Sequence, residues 1–231
     1  ILQHLNHPAA NIITVEDPVE REIPGITQVP VRPSPDAELD LSYAAVLRAM
    51  LRQDPNILMV GEIRDPETAR IAVRAAITGH LVLSTVHTND APGTMTRLLD
   101  MGIEPYNIIG ALRLVVAQRL VRRICPHCRE PEEPSDEQLA MAETRRPQVA
   151  GIRFFRGRGC AHCNHTGYRG RIGLFEVMQI TDRIRPLILS RKTEAEIRAA
   201  ALSGQMIPLR SVGWARIREG KTTLEEVLRE T

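Results

Sequence analysis

ILMVGEIRD, residues 57–65, reads as a buried strand that ends on a charged turn. Four apolar residues run without a break into Gly61, and Glu62, Arg64 and Asp65 follow at once. A short uninterrupted apolar run suits a strand covered on both faces. Gly61 lets another backbone approach closely, so Glu62 is carried out beyond the carboxyl end of the strand. Two more runs have this form. NIITV (11–15) ends at Glu16, Asp17 and Pro18, and LVLSTV (81–86) ends at His87, Thr88, Asn89 and Asp90.

Helical patterns separate the strands. SYAAVLRAMLRQ (42–53) has apolar positions at 43, 46, 47, 50 and 51 and stops before Pro55. PETARIAVRAAIT (66–78) has Asp65 as its expected N-cap and Pro66 at the first helical position. Strands alternating with helices indicate an α/β domain with a largely parallel sheet. Ligands of such sheets sit beyond the carboxyl ends of the strands, where these runs put their acids and histidines.

A carboxylate placed like Glu62 can orient or deprotonate the water that attacks a nucleoside triphosphate, or hold Mg²⁺ through water. Glu16 and Asp17 occupy the same position on a neighbouring strand. His80 and His87 bracket the third run, where a histidine can sense a terminal phosphate by hydrogen bonding. Arg48 and Arg52, four apart, share a helix face and can clamp a phosphate. Each residue alone has a plainer reading: an acid after a strand often caps the next helix, as expected of Asp65 and Asp90, and a basic pair is often a solvated face. Three strand ends carrying such groups favour the functional reading.

The phosphate loop of such an enzyme, G-x4-GK-[ST], should then be findable. Only Lys192 and Lys221 are lysines. Lys192 follows Arg191 with no glycine nearby. Lys221 lies in EGKTTLEE, but Ala215 stands where the first glycine belongs, and GWARIREG before it reads as a helix closed by Gly220. Thr223 and Glu226 are spaced as a capping box for a last helix. The 231 residues contain no such loop. The chain opens at Ile1 with LQHLN, which reads like the tail of a helix closed by Pro8, so it is expected to begin inside a larger protein.

IIGALRLVVAQRLVRRI (108–124) continues the helical pattern into a region, 125–175, rich in Cys, Gly, Arg and His, with a short polar helical insert at 132–148. Helical patterns resume from 176. The expected division is a core at 1–122, a cysteine module at 123–175 and a helical region at 176–231.

Cys125 and Cys128 in CPHC, and Cys160 and Cys163 in CAHC, form two matched Cys-x2-Cys pairs. Four thiolates so spaced suit a structural, tetrahedral Zn²⁺. Gly157, Gly159, Gly167 and Gly170 permit the tight turns that ligand knuckles need. Arg122, Arg123, Arg129, Arg158 and Arg169 are near enough in sequence to offset the charge of a zinc tetrathiolate. Two disulfides or a redox dithiol are the competing readings. The first is disfavoured in a cytosolic chain, the second by the presence of two matched pairs. His127, His162 or His165 replacing a thiolate is a weaker alternative.

No apolar run approaches the roughly 20 residues of a membrane span, and no signal-peptide pattern opens the chain. The expectation is a soluble, cytoplasmic protein. A net charge of +2 does not by itself point to nucleic acid. A zinc-ribbon nucleic-acid-binding module stays open, because residues 101–171 carry 12 Arg against 7 acids. Against it, only Phe154, Phe155, Tyr106 and Tyr168 are there to stack on bases. A docking module is a further alternative, but it leaves the strand-end acids and histidines unexplained.

Taken together, the blocks resemble the secretion ATPases of type II secretion and type IV pilus assembly. ITVEDPVE (13–20) is similar to that family's Asp box, LMVGEIRD (58–65) to its Walker B segment and GHLVLSTVHTND (79–90) to its His box. The tetracysteine module is similar to that of the assembly and secretion branch. The resemblance implies a RecA-like P-loop NTPase core that lacks its Walker A loop and N-terminal domains, plus a four-cysteine zinc module and a small C-terminal helical region. It implies that Glu62 is the catalytic carboxylate, that Glu16 and His87 surround the γ-phosphate and Mg²⁺, and that Arg48 and Arg52 contact phosphates. It further implies ATP as substrate and a homohexamer acting at the cytoplasmic face of the inner membrane on a platform protein, with no nucleic acid expected. These residues alone would then not hydrolyse ATP.

Overall fold

In the computed structural model of the chain, residues 1–32, 34 and 41–231 are described. In chain order the first elements are α1 (Leu2–Leu5), β1 (Ile12–Glu16), β2 (Thr27–Pro30), α2 (Tyr43–Met50), β3 (Ile57–Val60), α3 (Pro66–Ile77) and β4 (Leu81–Ser84). Then come α4 (Gly93–Asp100), α5 (Pro105–Ala111), β5 (Leu114–Ile124), β6 (Arg129–Glu132), α6 (Asp136–Met141), β7 (Phe154–Gly157) and β8 (Tyr168–Gln179). The chain closes with α7 (Arg185–Leu189), α8 (Glu194–Ser203), α9 (Leu209–Arg218) and α10 (Leu224–Glu230). Two compact units result, one of residues 1–115 and 179–200, the other of 116–178 and 201–231. Positions 122 and 175, where the sequence suggested divisions, lie inside β5 and β8.

The first unit holds a parallel sheet in the order β2-β1-β3-β4. Val60 lies opposite both Val15 and Ser84, so the carboxyl ends of β1, β3 and β4 share one edge. Ile12, Val15, Leu58 and Val60 are buried, as is Leu47 of α2. Each such side chain contributes at most about 1.5–3 kcal/mol through removal from water. α2 starts where Ser42 accepts from the Ala45 amide. It ends at Met50, so Arg52 lies beyond the helix expected over 42–53. α3 starts at Asp65, whose carboxylate accepts from the Glu67 and Thr68 amides, with Pro66 at the first position as expected. Burial alone would raise the Asp65 carboxyl, but the bonds from Thr68 and Glu67 hold it below its ordinary range. β2 had no signal in the sequence reading: TQVP is short and only partly buried.

The helix expected over 108–124 is a correction. Only Pro105–Ala111 is helical, and Leu114–Ile124 is a strand paired with β8. Apolar spacing there fits either period, and the decision comes from the distant partner strand. In the second unit Val121, Leu174 and Leu209 form one cluster, and Leu139, Phe154, Ile217, Leu224 and Val227 another. The polar insert does form a helix, α6, with Ser135 and Gln138 making a capping box. Thr223 accepts from the Glu226 amide at the start of α10. The Glu226 carboxylate, fully buried, turns instead to Arg122, receiving its amide at 2.8 Å and its guanidinium at 2.6 Å. Among the described residues no helix is long and apolar enough to cross a membrane.

Candidate functional site

Two groups of side chains stand out, one in each unit. At the carboxyl edge of the parallel sheet, Glu62 Oε2 lies 3.2 Å from His87 Nε2 and accepts from Arg64 Nε at 2.5 Å. Glu62 is 12% exposed and His87 79% exposed, so a nearly buried carboxylate meets an open imidazole. The two turns are stitched together: Ile63 donates to the Thr85 carbonyl at 2.9 Å and Thr85 Oγ1 to the Gly61 carbonyl at 2.7 Å. A Cβ on Gly61 would stand 3.2 Å from the Val15 carbonyl oxygen and 3.3 Å from the Tyr43 hydroxyl. The glycine thus admits both β1 and α2 to within contact of the turn.

Glu16 closes β1, its Oε1 accepting from Thr14 Oγ1 at 2.6 Å and Gln28 Nε2 at 2.8 Å. Tyr43 reports on the charge collected here. Burial first, then the charges of Glu62, Asp17 and Glu16, push its phenol up, against the opposite pull of Arg64. The Gly61 Cβ position also lies 3.4 Å from Glu16 Cα, so the end of β1, the Tyr43 hydroxyl and the Glu62 turn share this edge, with His87 and Arg64 on Glu62. Sequence reasoning left out Tyr43 and Arg64 as site residues. The spacing of Arg64 from Glu62 was a usable signal; Tyr43 had none, because it stands on the apolar face of a helix pattern.

Three expected residues are not brought to this group. His80 precedes β4, while His87 follows it, and a four-residue strand separates its ends by about 13 Å. The His80 ring closes α3 instead, with Nδ1 3.0 Å from the Ala75 carbonyl. Arg48 pairs with Glu67 of α3. Arg52 donates to the Arg48 carbonyl at 3.2 Å.

In the second unit the Sγ atoms of Cys125, Cys128, Cys160 and Cys163 lie within 4.8 Å of one another. Separations of 3.9 Å (Cys125–Cys160), 3.9 Å (Cys128–Cys163) and 3.8 Å (Cys160–Cys163) are too long for disulfides. They match the edge of about 3.8 Å expected of a tetrahedron with sulfurs about 2.3 Å from its centre. Backbone amides turn inward: Gly159 donates to Cys128 Sγ and Gly167 to Cys163 Sγ, both at 3.3 Å. Burial pushes Cys128 up to about 12. Cys163 is also raised by burial, but the Cys160 and Gly167 amides bring it down to about 6. A Cβ on Gly157 would fall 2.0 Å from the Gly167 carbonyl oxygen, so the two loops close only because Gly157 has no side chain. The donor set fits a metal ion held by four thiolates. His127 and His162, in matching places of the two pairs, stack on each other at 4.1 Å between ring centroids; the metal-ligand cluster consists of the four cysteines.

A family model described as type II/IV secretion system protein matches residues 1–229. The chain is 48% identical over 231 residues to the type IV pilus assembly ATPase PilB of Thermus thermophilus, covering 100% of this chain and 26% of that protein. It is 48% identical over 234 residues to the type II secretion system ATPase E of Vibrio cholerae, covering 100% of this chain and 44% of that protein. The chain thus spans about a quarter to under a half of the length of these relatives. Among solved structures, the pilus retraction motor PilT with bound ADP superposes with a TM-score of 0.70 at 26% identity, covering 100% of this chain and 55% of that one. The chain belongs to the type II/IV secretion system protein family.

Proposed function

We propose that these residues are part of the motor domain of an ATPase that drives type II secretion or type IV pilus assembly. The observation that carries the reading is the meeting of Glu62 and His87 at the carboxyl edge of a parallel sheet, with Glu16 closing the adjacent strand. Glu62 is the carboxylate that orients and deprotonates the attacking water, and His87 holds its oxygen in place. Glu16 and Asp17, at the end of the neighbouring strand, are the carboxylates that would hold Mg²⁺. With nucleotide that ion would neutralise phosphate charge. Arg48 and Arg52 reach phosphates when their present partners release them.

The four cysteines hold Zn²⁺, which clamps the β5–β6 and β7–β8 connections as a structural centre. The motor works as a homohexamer at the cytoplasmic face of the inner membrane, against a platform protein. Its core is RecA-like, and these 231 residues, holding no G-x4-GK-[ST] loop, do not hydrolyse ATP alone. Nucleic-acid binding is disfavoured by what covers the aromatics: Arg122 stacks on Tyr168 at 4.1 Å and Arg129 on Phe155 at 4.6 Å.

The test is phosphate release by this chain and by a form extended upstream through a phosphate loop, with zinc measured by elemental analysis. Activity in the extended form alone, with one zinc per chain, supports the reading. An assembled extended form that stays silent contradicts it.

A further inference from the structure

The loop that carries His87 is tied down at its far end. Thr88 Oγ1 donates to the Asp90 carbonyl at 3.0 Å and meets Thr94 Oγ1 at 3.2 Å, Thr94 being nearly buried. Asp90 divides its carboxylate. Oδ1 accepts from the Gly93 amide at 2.9 Å, which starts α4, and Oδ2 accepts from Arg198 of α8. Arg198 reaches Glu194 Oε1 at 2.8 Å with the same nitrogen. A Cβ on Gly93 would stand 3.2 Å from Asp90 Oδ1 and 3.4 Å from Glu194 Oε2, so α8 packs directly on the start of α4. Asp90 is 20% exposed and Arg198 35% exposed, which shelters the pair from the screening that makes surface pairs nearly neutral.

Asp90 is three residues from His87, and the chain between them is bonded at Thr88. The near end of the loop is fixed to the Glu62 turn through Thr85, so a shift of Asp90 at the far end re-aims the imidazole that lies between the two ties. We infer that Arg198 is a positioning residue: through Asp90 it sets the loop that aims His87 at Glu62. Arg198 touches neither Glu62 nor His87, and α8 lies over 100 residues further along the chain, so its contribution is to geometry alone. This rests on the proposed ATPase reading for its effect on turnover, but not for its effect on the loop.

Two measurements test it. Hydrogen exchange on this chain reads the loop directly. Arg198→Ala should speed exchange of the Gly93 amide and its neighbours in 88–94 by about tenfold or more, and strand amides such as those of Val15 and Val60 should not change. Arg198→Lys should restore most of the protection. An unchanged loop, or faster exchange throughout the first unit, overturns the inference, the latter by showing a general structural role.

In the extended, active form Arg198→Ala should lower kcat by about tenfold while KM for ATP stays within about twofold. Added to His87→Ala, it should change kcat by less than about twofold, because both act through one imidazole. Full additivity, or an unaffected kcat, overturns the positioning role. If the assembled extended form shows no turnover at all, it is the ATPase reading that has failed; the exchange result still decides whether Arg198 holds the loop.

Discussion

Glu62 and His87 are 25 residues apart in sequence, on the turns after two adjacent parallel strands, and their side chains meet at 3.2 Å. The contact depends on register: Val60 pairs with Ser84, which brings the two turns to the same edge. Replacing His87 with Ala removes the imidazole that meets the carboxylate and leaves the strands intact. We expect turnover of the extended form to fall about 10²-fold with an unchanged circular dichroism spectrum and melting temperature.

The proposed metal centre at the four cysteines gives a second prediction. Removing the metal with a strong chelator, or replacing Cys163 with Ser, should expose the segment 125–163 to proteolysis while the first unit keeps its protection. Metal affinity should drop as pH falls, because each thiolate must lose a proton to bind. Elemental analysis across a pH series checks both the stoichiometry and the sign.

Gly157→Ala should damage the same centre without touching a ligand. Its Cβ would lie 2.0 Å from the Gly167 carbonyl oxygen, a backbone atom that cannot rotate away. A cost of roughly 3 kcal/mol or more is expected, read as a lower melting point and lower zinc content.

The pair Arg122–Glu226 makes stability depend on pH. Burial works to raise the Glu226 carboxyl, but bonds from Arg122 hold it below its ordinary value. A depressed carboxyl contributes stability above its unfolded value, about 4.3, and loses it as pH falls through the lower folded one. Melting curves should therefore drop less steeply below about pH 4.5 for Glu226→Gln than for the parent chain. Arg122→Ala, which strips the main partner from a fully buried carboxylate, should cost about 2–3 kcal/mol at neutral pH. Glu67→Ala, by contrast, breaks an exposed pair with Arg48 and should change stability by less than about 1 kcal/mol.

The sequence made some of this legible because the signals were local. An apolar run stopping at Gly61 fixes where Glu62 must stand, Asp65 followed by Pro66 fixes the start of α3, and two Cys-x2-Cys pairs announce their own cluster. His80 lies away from Glu62 and His87 because two residues bracketing a strand stand at its opposite ends. The strand over Leu114–Ile124 was hidden because its partner β8 is remote, and only that pairing decides between helix and strand. Tyr43 was hidden for a similar reason: its hydroxyl matters only because the fold sets Gly61 against it.

If Glu62 is the carboxylate that activates water, substituting it is the most direct test. In the extended form, Glu62→Gln keeps the shape of the side chain and removes its basicity. Nucleotide binding and assembly should persist while ATP turnover falls by about 10²–10⁴-fold. A Glu62→Gln protein that binds ATP and hydrolyses it at the parent rate would contradict that role.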